Sequence, residues 1–427
     1  MKKKSFFQLK DHDTTVKQEF TAGMIGFFTV VYIIAVNSFI LSEAGIPLTG
    51  AVLATILTSF FGCLIMGLWA NAPIILVPGM GINALFTYTL VQSMNLSWQE
   101  ALAVVFVSGI IFALVAFTRL AYILNASIPK TLKDAITVGL GLFLMLIGLE
   151  KGGLVVRGGT SIIALGDLSD IKVIATIITF LVTIILFLRN IKGHFLWSIL
   201  FGTGLAAFLG IIPSTSKANF SLNSYHDVFL HLSFDKFLSF SFWIAVFTIT
   251  MVVVFENIGL VHSQMVLLKR EDNFKKGLQA NSISALVSGI FGSSPTVATV
   301  ETTAAITAGG RTGLTAITTG AFFLLSAFAI PYMSLIPDNA IAPILILIGV
   351  LMTQNIRFMD LRDLTEAFPA ILIIAMIPFT SSISDGIAIG FILYPILKLS
   401  IGKAKEVSIP LYIISCLFFI NFLLQYL

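Results

Sequence analysis

The sequence predicts an all-α polytopic membrane protein, and three observations support that prediction. Of the 427 residues, 57% are hydrophobic and only 11% are charged, whereas about 25% of residues are charged in an average soluble chain. The 38 Phe greatly outnumber the 8 Tyr and 4 Trp, which is typical of side chains that face lipid or other helices. Apolar runs of about 20 residues, the length that crosses a bilayer, recur along the chain. A soluble globular domain is therefore excluded.

Fourteen apolar runs are predicted as membrane segments, seven on each side of a polar loop that covers 213–236. A further apolar run at 408–426 is either an added span or a helix that lies at the interface. The predicted segments are 20–41, 48–69, 74–93, 99–121, 131–149, 171–188 and 194–212, followed by 239–262, 277–293, 294–309, 312–333, 340–354, 364–379 and 381–399.

The distribution of Lys and Arg predicts the orientation, because cytoplasmic connections of membrane proteins are enriched in these residues. The N-terminal tail, 1–19, opens with three lysines, lacks a cleavable signal pattern and is predicted to be cytoplasmic. Every second connection after it is basic, although the longer 150–172 connection also carries basic residues on the opposite side. The cytoplasmic set comprises Arg119, Lys130, Lys133, Arg189, Lys192, Lys269, Arg270, Lys275, Lys276, Arg311, Arg357, Arg362, Lys398, Lys403 and Lys405.

Seven segments on each side of a loop predict an inverted repeat, because an odd number of crossings turns the second repeat over. Weak internal similarity supports this prediction. Asn37 closes an apolar run in the first segment as Asn257 does in the eighth, and Gly148 and Gly349 end similar runs in the fifth and twelfth. We therefore expect a 7+7 inverted repeat.

Two segments are interrupted at corresponding positions of the two repeats. The third begins with prolines and glycines over 72–83, and the tenth begins with a Gly/Ser/Pro break over 291–301. Such residues open the hydrogen-bond ladder of a helix, and irregular backbone at membrane depth is found only where protein or a water-filled cavity surrounds it. The pattern predicts short extended stretches in segments 3 and 10, with a transport site at the starts of the half-helices that follow them. The alternative is a pair of kinks used only for packing.

Two glutamates stand out in the predicted spans, Glu256 in the eighth and Glu301 in the tenth. A charge at the bilayer centre costs roughly 2.5–3.5 kcal/mol on insertion scales, so such groups usually face a cavity and are functional. Burial favours the neutral acid, and either glutamate could therefore exchange a proton. Glu256 is the preferred proton carrier, because a half-helix N-terminus beside Glu301 stabilises that residue's ionised form. The alternative for each is a carboxyl group that only packs against a neighbouring hydroxyl.

The chain resembles the nucleobase–cation symporter 2 superfamily, which includes xanthine and uracil permeases, and within it the bacterial adenine/guanine/hypoxanthine permeases. The resemblance is carried by Pro78–Ala84, by the block from Glu301 to Ala316 and by Ser384–Ala388. It implies a core domain formed by 20–123 and 239–334, and a gate domain formed by 124–238 and 335–427.

The resemblance also implies that the substrate lies between the two broken segments. The expected substrate contacts are Glu256, Glu301, Asn83, Gly81, Ile82, Thr299 and Val300. Three departures from the family pattern leave the nucleobase open: Glu256-Asn257 replaces the Asp-Thr of the purine branch, Leu260 replaces the His of the uracil branch, and Thr299 replaces a common Tyr.

The predicted function is proton-coupled import of a nucleobase, with a purine as the first choice. A uracil or xanthine symporter and an anion transporter with the same 7+7 fold are the alternatives. No HExxH motif or Ser/His pair is visible within the spans, so an enzyme is not expected, and neither are a cofactor, a metal or a nucleic-acid partner. We expect a multi-pass protein of the bacterial cell membrane that binds a nucleobase and a proton, and the resemblance allows a homodimer.

Overall fold

The computed structural model describes residues 6–118, 120, 127–159, 161, 163–212 and 223–426. The lysines at 2–4, Arg119, the predicted domain boundary at 123/124 and positions 213–222 of the polar loop lie outside these residues. Along the described chain most residues are helical, and the helices follow the apolar runs of the sequence.

The helices of the first half precede the polar loop. They are α1 (Val16–Glu43), α2 (Leu48–Ala70), α3 (Met80–Ala84, continued in π-helical form as Leu85–Ser93), α4 (Trp98–Phe117), α5 (Lys130–Lys151), α6 (Ile171–Leu188) and α7 (His194–Phe208).

The helices of the second half follow the loop and end with an additional helix. They are α8 (Phe240–Leu267), α9 (Phe274–Phe291), α10 (Thr302–Thr307), α11 (Gly313–Met333), α12 (Asp338–Phe358), α13 (Leu364–Thr380), α14 (Ile383–Ser400) and α15 (Ile409–Tyr426). Of the helices in the described ranges, nine are long and apolar enough to cross a membrane.

Local signals set several helix starts. Ser97 and Glu100 form a capping box at α4, in which the Glu100 N–H donates to Ser97 Oγ (3.2 Å) and the Ser97 N–H donates to Glu100 Oε2 (2.7 Å). The Phe242 N–H donates to Ser239 Oγ at the start of α8 (3.2 Å). These bonds satisfy N–H groups that the first turn of a helix leaves without partners.

Four short strands occur in the described chain. β1 (Leu76–Pro78) and β4 (Thr296–Ala298) pair antiparallel, with Val77 opposite Val297, and all six residues are buried. β2 (Val155–Arg157) and β3 (Ile163–Leu165) form a separate, largely exposed antiparallel pair. The β1–β4 pair thus joins the two halves of the chain in the interior of the protein.

Helix packing is most extensive within two groups. In one group α4 packs on α9, and α11 packs on α1 and α2; in the other, α5 packs on α12 and α13, and α13 packs on α14. The α5–α12 pair runs antiparallel at very short range. A Cβ at Gly349 would lie 2.5 Å from the Gly141 carbonyl oxygen, and one at Gly148 would lie 2.9 Å from the Ala342 carbonyl oxygen. Only glycine permits this approach at both positions.

Candidate functional site

The two broken segments meet at the β1–β4 pair. In addition to the pairing of the two strands, the Gly79 N–H donates to the Pro295 carbonyl (3.2 Å) and the Thr299 N–H donates to the Ile75 carbonyl (3.4 Å). The Ile75 N–H donates to Thr302 Oγ1 (3.1 Å), in the first turn of α10. Because α3 begins at Met80 and α10 begins at Thr302, both half-helices start directly beside the β1–β4 pair. We call this strand pair, with Gly79, Pro295 and Thr299 beside it, the crossing.

Asn37 ties α1 to both broken segments. Its amide nitrogen donates to Thr55 Oγ1 (2.8 Å) and Ser293 Oγ (3.3 Å). Its Oδ1 accepts from Asn83 Nδ2 (3.2 Å) and Ser294 Oγ (3.1 Å). All five side chains are fully buried. Low polarity strengthens such bonds and makes an unpaired group costly, so this cluster fixes the relative positions of the segments.

Asn257 serves the same crossing from α8. Its Oδ1 accepts from the Ala298 N–H of β4 (3.0 Å) and from Asn281 Nδ2 of α9, and its Nδ2 donates to the Val253 carbonyl (2.8 Å). About two helix turns further along α8, Gln264 Nε2 donates to the Thr299 carbonyl (2.5 Å). The amide side chains therefore hold α8 along β4, as Asn37 holds α1.

Glu301 lies between β4 and α10 and is partly exposed. Its Oε1 accepts a hydrogen bond from Tyr32 Oη (2.9 Å). Within the described chain no second side-chain bond reaches this carboxylate, and it does not cap α10. The Tyr32 ring packs on Phe195 of α7, with centroids 4.4 Å apart. One carboxylate oxygen is thus held by the protein while the other can accept a hydrogen bond from a ligand.

Glu256 lies near the middle of α8 and is also partly exposed. No hydrogen bond from the described residues reaches its carboxylate. From Glu256 onward, exposed positions recur along one side of α8 at Gly259, Ser263 and Val266, and these lead to the basic end at Lys269. The two glutamates therefore differ in their surroundings, since Glu301 accepts a hydrogen bond from Tyr32 and Glu256 accepts none from the described residues.

A second exposed strip runs along α10. Val300 is 67% exposed although it is apolar, and Thr303 and Thr307 continue its face toward the basic residue Arg311. Val300 thus lies between the buried strand β4 and the half-helix α10. An exposed aliphatic side chain in such a place is expected for the wall of a ligand cleft.

The other predicted contacts are buried. Gly81, Ile82 and Asn83 lie in the first turn of α3, where Ile82 and Asn83 are fully buried. A Cβ at Gly81 would lie 3.2 Å from Leu140 Cδ1 of α5 and 3.6 Å from Met352 Cε of α12. In this structure α5 and α12 therefore cover Gly81.

Four buried polar atoms beside the crossing have no partner among the described residues. They are Asn83 Oδ1, Thr299 Oγ1, Gln264 Oε1 and Asn281 Oδ1. Buried polar groups are nearly always hydrogen-bonded, so unpaired ones point to a ligand or water that would satisfy them. Cys63 and Cys416 are free thiols. In the ranges that the structure describes, no group of three or more His, Cys, Asp or Glu could hold a metal ion.

The sequence reasoning missed Tyr32 and Phe195 as site residues. Both are large aromatic side chains inside apolar runs, where packing in a hydrophobic interior is their ordinary role. Tyr32 is 269 residues from Glu301 along the chain, and no spacing in the sequence indicates that the two meet.

The nine long apolar helices of the described ranges, the two broken segments joined by the β1–β4 pair and the two partly exposed glutamates define a polytopic membrane transport protein. A model of the xanthine/uracil permeases, described as a permease family, matches residues 17–389. The chain belongs to this permease family, and it is accordingly a transport protein and not an enzyme.

Several relatives are similar over most of their length. A nucleobase transporter of Paenibacillus larvae is 49% identical over 88% of this chain and 76% of its own. A guanine/hypoxanthine permease of Bacillus subtilis is 37% identical over 97% of this chain and 99% of its own. An adenine permease of Escherichia coli is 36% identical over 97% of this chain and 94% of its own. The chain therefore lies among nucleobase permeases.

Solved structures share the fold at low sequence identity. The transmembrane domain of a cyanobacterial bicarbonate transporter has a TM-score of 0.62 and 16% identity, covering 88% of this chain and 97% of that one. The murine Solute Carrier 26 family member A9 anion transporter in the inward-facing state has a TM-score of 0.64 and 10% identity, covering 90% and 68%. At these identities the likeness concerns the fold alone.

Proposed function

We propose that this permease is a secondary active transporter that imports a purine base (hypoxanthine, guanine or adenine) together with protons. The observation that carries the proposal is Glu301, whose carboxylate has one oxygen fixed by Tyr32 and the other free, beside the joined starts of two half-helices. Purines present ring N–H groups, which an oriented carboxylate accepts with strong, charge-assisted hydrogen bonds.

Glu256 is the proposed proton carrier. The residue is partly exposed, and its carboxylate has no hydrogen bond from the described side chains to hold its charged form. Protonation of such a group is favoured where water is scarce. The exposed strips of α8 and α10 both lead to basic ends, which supports a path between the site and the cytoplasm. Thr299 Oγ1 and Asn83 Oδ1 supply further acceptors once the cleft opens, and Val300, Ile82 and Gly81 form its apolar wall.

The larger organisation belongs to the same proposal. We infer fourteen segments in a 7+7 inverted repeat, with a core domain (20–123 and 239–334) that carries the site and a gate domain (124–238 and 335–427) that moves against it. The protein would lie in the bacterial cell membrane with its N-terminus in the cytoplasm, and the gate helices would form the interface of a homodimer.

Uptake by cells that lack their own nucleobase transporters tests the function. Labelled hypoxanthine, guanine, adenine, uracil and xanthine are supplied in turn, at several external pH values and with a protonophore. We expect saturable purine uptake that rises at acidic external pH and falls with the protonophore. Uptake of uracil or xanthine instead would change the substrate, and uptake of none of the five would refute the nucleobase assignment.

Carboxamide variants test the two carboxylates. Glu301→Gln should abolish high-affinity uptake, because an amide cannot supply the negative acceptor. Glu256→Gln should remove the dependence of uptake on external pH and on the protonophore. Glu271→Gln is the matched control, because Glu271 is exposed in a short turn between α8 and α9. If Glu256→Gln leaves the pH dependence intact, the proton is carried elsewhere.

A further inference from the structure

Tyr32 lies near the middle of α1, where the helix is interrupted. The regular hydrogen bonding of α1 breaks at Val31, and the helix resumes with Tyr32. The Tyr32 side chain is 3% exposed. A buried phenol requires a partner for its O–H, and Tyr32 finds that partner in Glu301 at 2.9 Å.

Phe195 packs on the other side of the Tyr32 ring. The centroids are 4.4 Å apart and the ring planes meet at 50°. Phe195 is 2% exposed, and His194 packs against it in turn at 4.2 Å. Because Phe195 belongs to α7, the ring packing of Tyr32 depends on the position of α7 against α1.

We infer that Tyr32 is a positioning residue, which fixes the Glu301 carboxylate so that its free oxygen faces the substrate. This inference rests on the proposed role of Glu301 in binding the transported base. Tyr32 Oη donates to Glu301 Oε1, and this bond restricts rotation of the carboxylate and leaves Oε2 with no bond from the described side chains. The remaining lone pairs then have a single orientation before the substrate arrives, and a preorganised acceptor binds more tightly than a mobile one.

Tyr32→Phe tests the inference, because it removes only the hydroxyl and keeps the ring on Phe195. We expect the KM for the transported base to rise about tenfold, the usual scale for losing one hydrogen bond to a charged group. Turnover per folded transporter should change less than twofold. The matched control is Tyr412→Phe, which removes a phenol O–H that donates to the Ala404 carbonyl (3.2 Å) at the start of α15. Its KM should equal that of the wild type.

A double-mutant cycle separates a positioning role from direct contact with the substrate. Glu301→Asp withdraws the carboxylate by one methylene from Tyr32 Oη. If Tyr32 acts through Glu301, Tyr32→Phe will raise KM less than twofold in the Glu301→Asp background, because the bond is already lost. If the two effects multiply, Tyr32 acts independently of Glu301 and the inference is wrong.

Phe195→Leu provides a second variant should Tyr32→Phe not fold. It keeps the phenol O–H but removes the ring that holds it, and KM should rise about threefold, less than for the complete loss of the bond. A wild-type KM in Phe195→Leu would contradict the role of α7. Absence of uptake by the wild type refutes the proposed function, whereas wild-type uptake with an unchanged KM in Tyr32→Phe refutes this inference alone.

Discussion

Replacing Asn37 with Ala should destabilise the whole protein, because this amide joins both broken segments to α1. Four hydrogen bonds are lost, to Thr55, Ser293, Ser294 and Asn83, all between fully buried groups. Each such bond contributes about 0.5–1.5 kcal/mol net. Thr55 Oγ1 also donates to the Ala51 carbonyl (2.7 Å) and so keeps a partner. We therefore expect a loss of about 3 kcal/mol, from three bonds of average strength.

Chemical unfolding of the purified protein in mixed SDS and dodecyl maltoside micelles measures this loss. The control is Asn355→Ala, which removes a single bond from an amide to the Met352 carbonyl (3.0 Å) within one turn at the end of α12. It should cost less than about 1 kcal/mol. The reasoning would be refuted if Asn37→Ala were as stable as Asn355→Ala, since the buried network would then contribute nothing beyond a local turn.

Two further predictions concern helix packing and pH. Gly349→Ala should cost about 1–3 kcal/mol of unfolding free energy in the same assay, because its Cβ would lie 2.5 Å from the Gly141 carbonyl oxygen. The control is Gly204→Ala on α7, where the added Cβ meets open space, and this variant should be neutral or slightly stabilising. Equal stability of the two variants would contradict the close packing of α5 on α12. Hydrogen bonds from Thr365 lower the pKa of Asp363 to about 2, so its ionised form stabilises the fold above the unfolded pKa of about 3.9 and this contribution is lost as the pH falls toward 2. The melting temperature of Asp363→Asn should therefore be lower than that of the wild type at pH 7, and this difference should be smaller at pH 3. An equal difference at both pH values would show that the charge of Asp363 does not stabilise the fold.

The sequence predicted the positions of the broken segments because Pro and Gly act locally. In the third segment a short extended stretch was expected at the break over 72–83, and the structure has a strand at Leu76–Pro78 followed by a helix that begins at Met80. In the tenth segment, where a short extended stretch followed by a half-helix was expected within 294–309, the structure has a three-residue strand at Thr296–Ala298 and a six-residue helix at Thr302–Thr307.

The pairing of these segments was beyond local reasoning. Val77 meets Val297 across the fold, and nothing in either short apolar stretch specifies the other as its partner. The same holds for Tyr32 and Glu301, which form a hydrogen bond although 269 residues separate them along the chain. The carboxylates themselves were predictable, because a glutamate in an apolar span is costly and therefore conspicuous. Their unequal surroundings required the tertiary structure.

The distribution of polar contacts around the crossing bears on how the site could move. Hydrogen bonds join it to α1, α2, α8 and α9 through Asn37 and Asn257. Against α5, α12 and α7, by contrast, its neighbours are the apolar side chains of Leu140, Met352 and Phe195. Apolar surfaces can slide without leaving a buried hydrogen-bonding group unpaired, whereas breaking the amide clusters would orphan several at once. The proposed alternating access therefore costs least as a rigid movement of the crossing and its bonded helices past α5, α7 and α12. This movement breaks the partly exposed ion pair of Glu43 in α1 and Lys151 in α5 but keeps both amide clusters. The geometry of Glu301 and Tyr32 is preserved until Phe195 separates from the phenol.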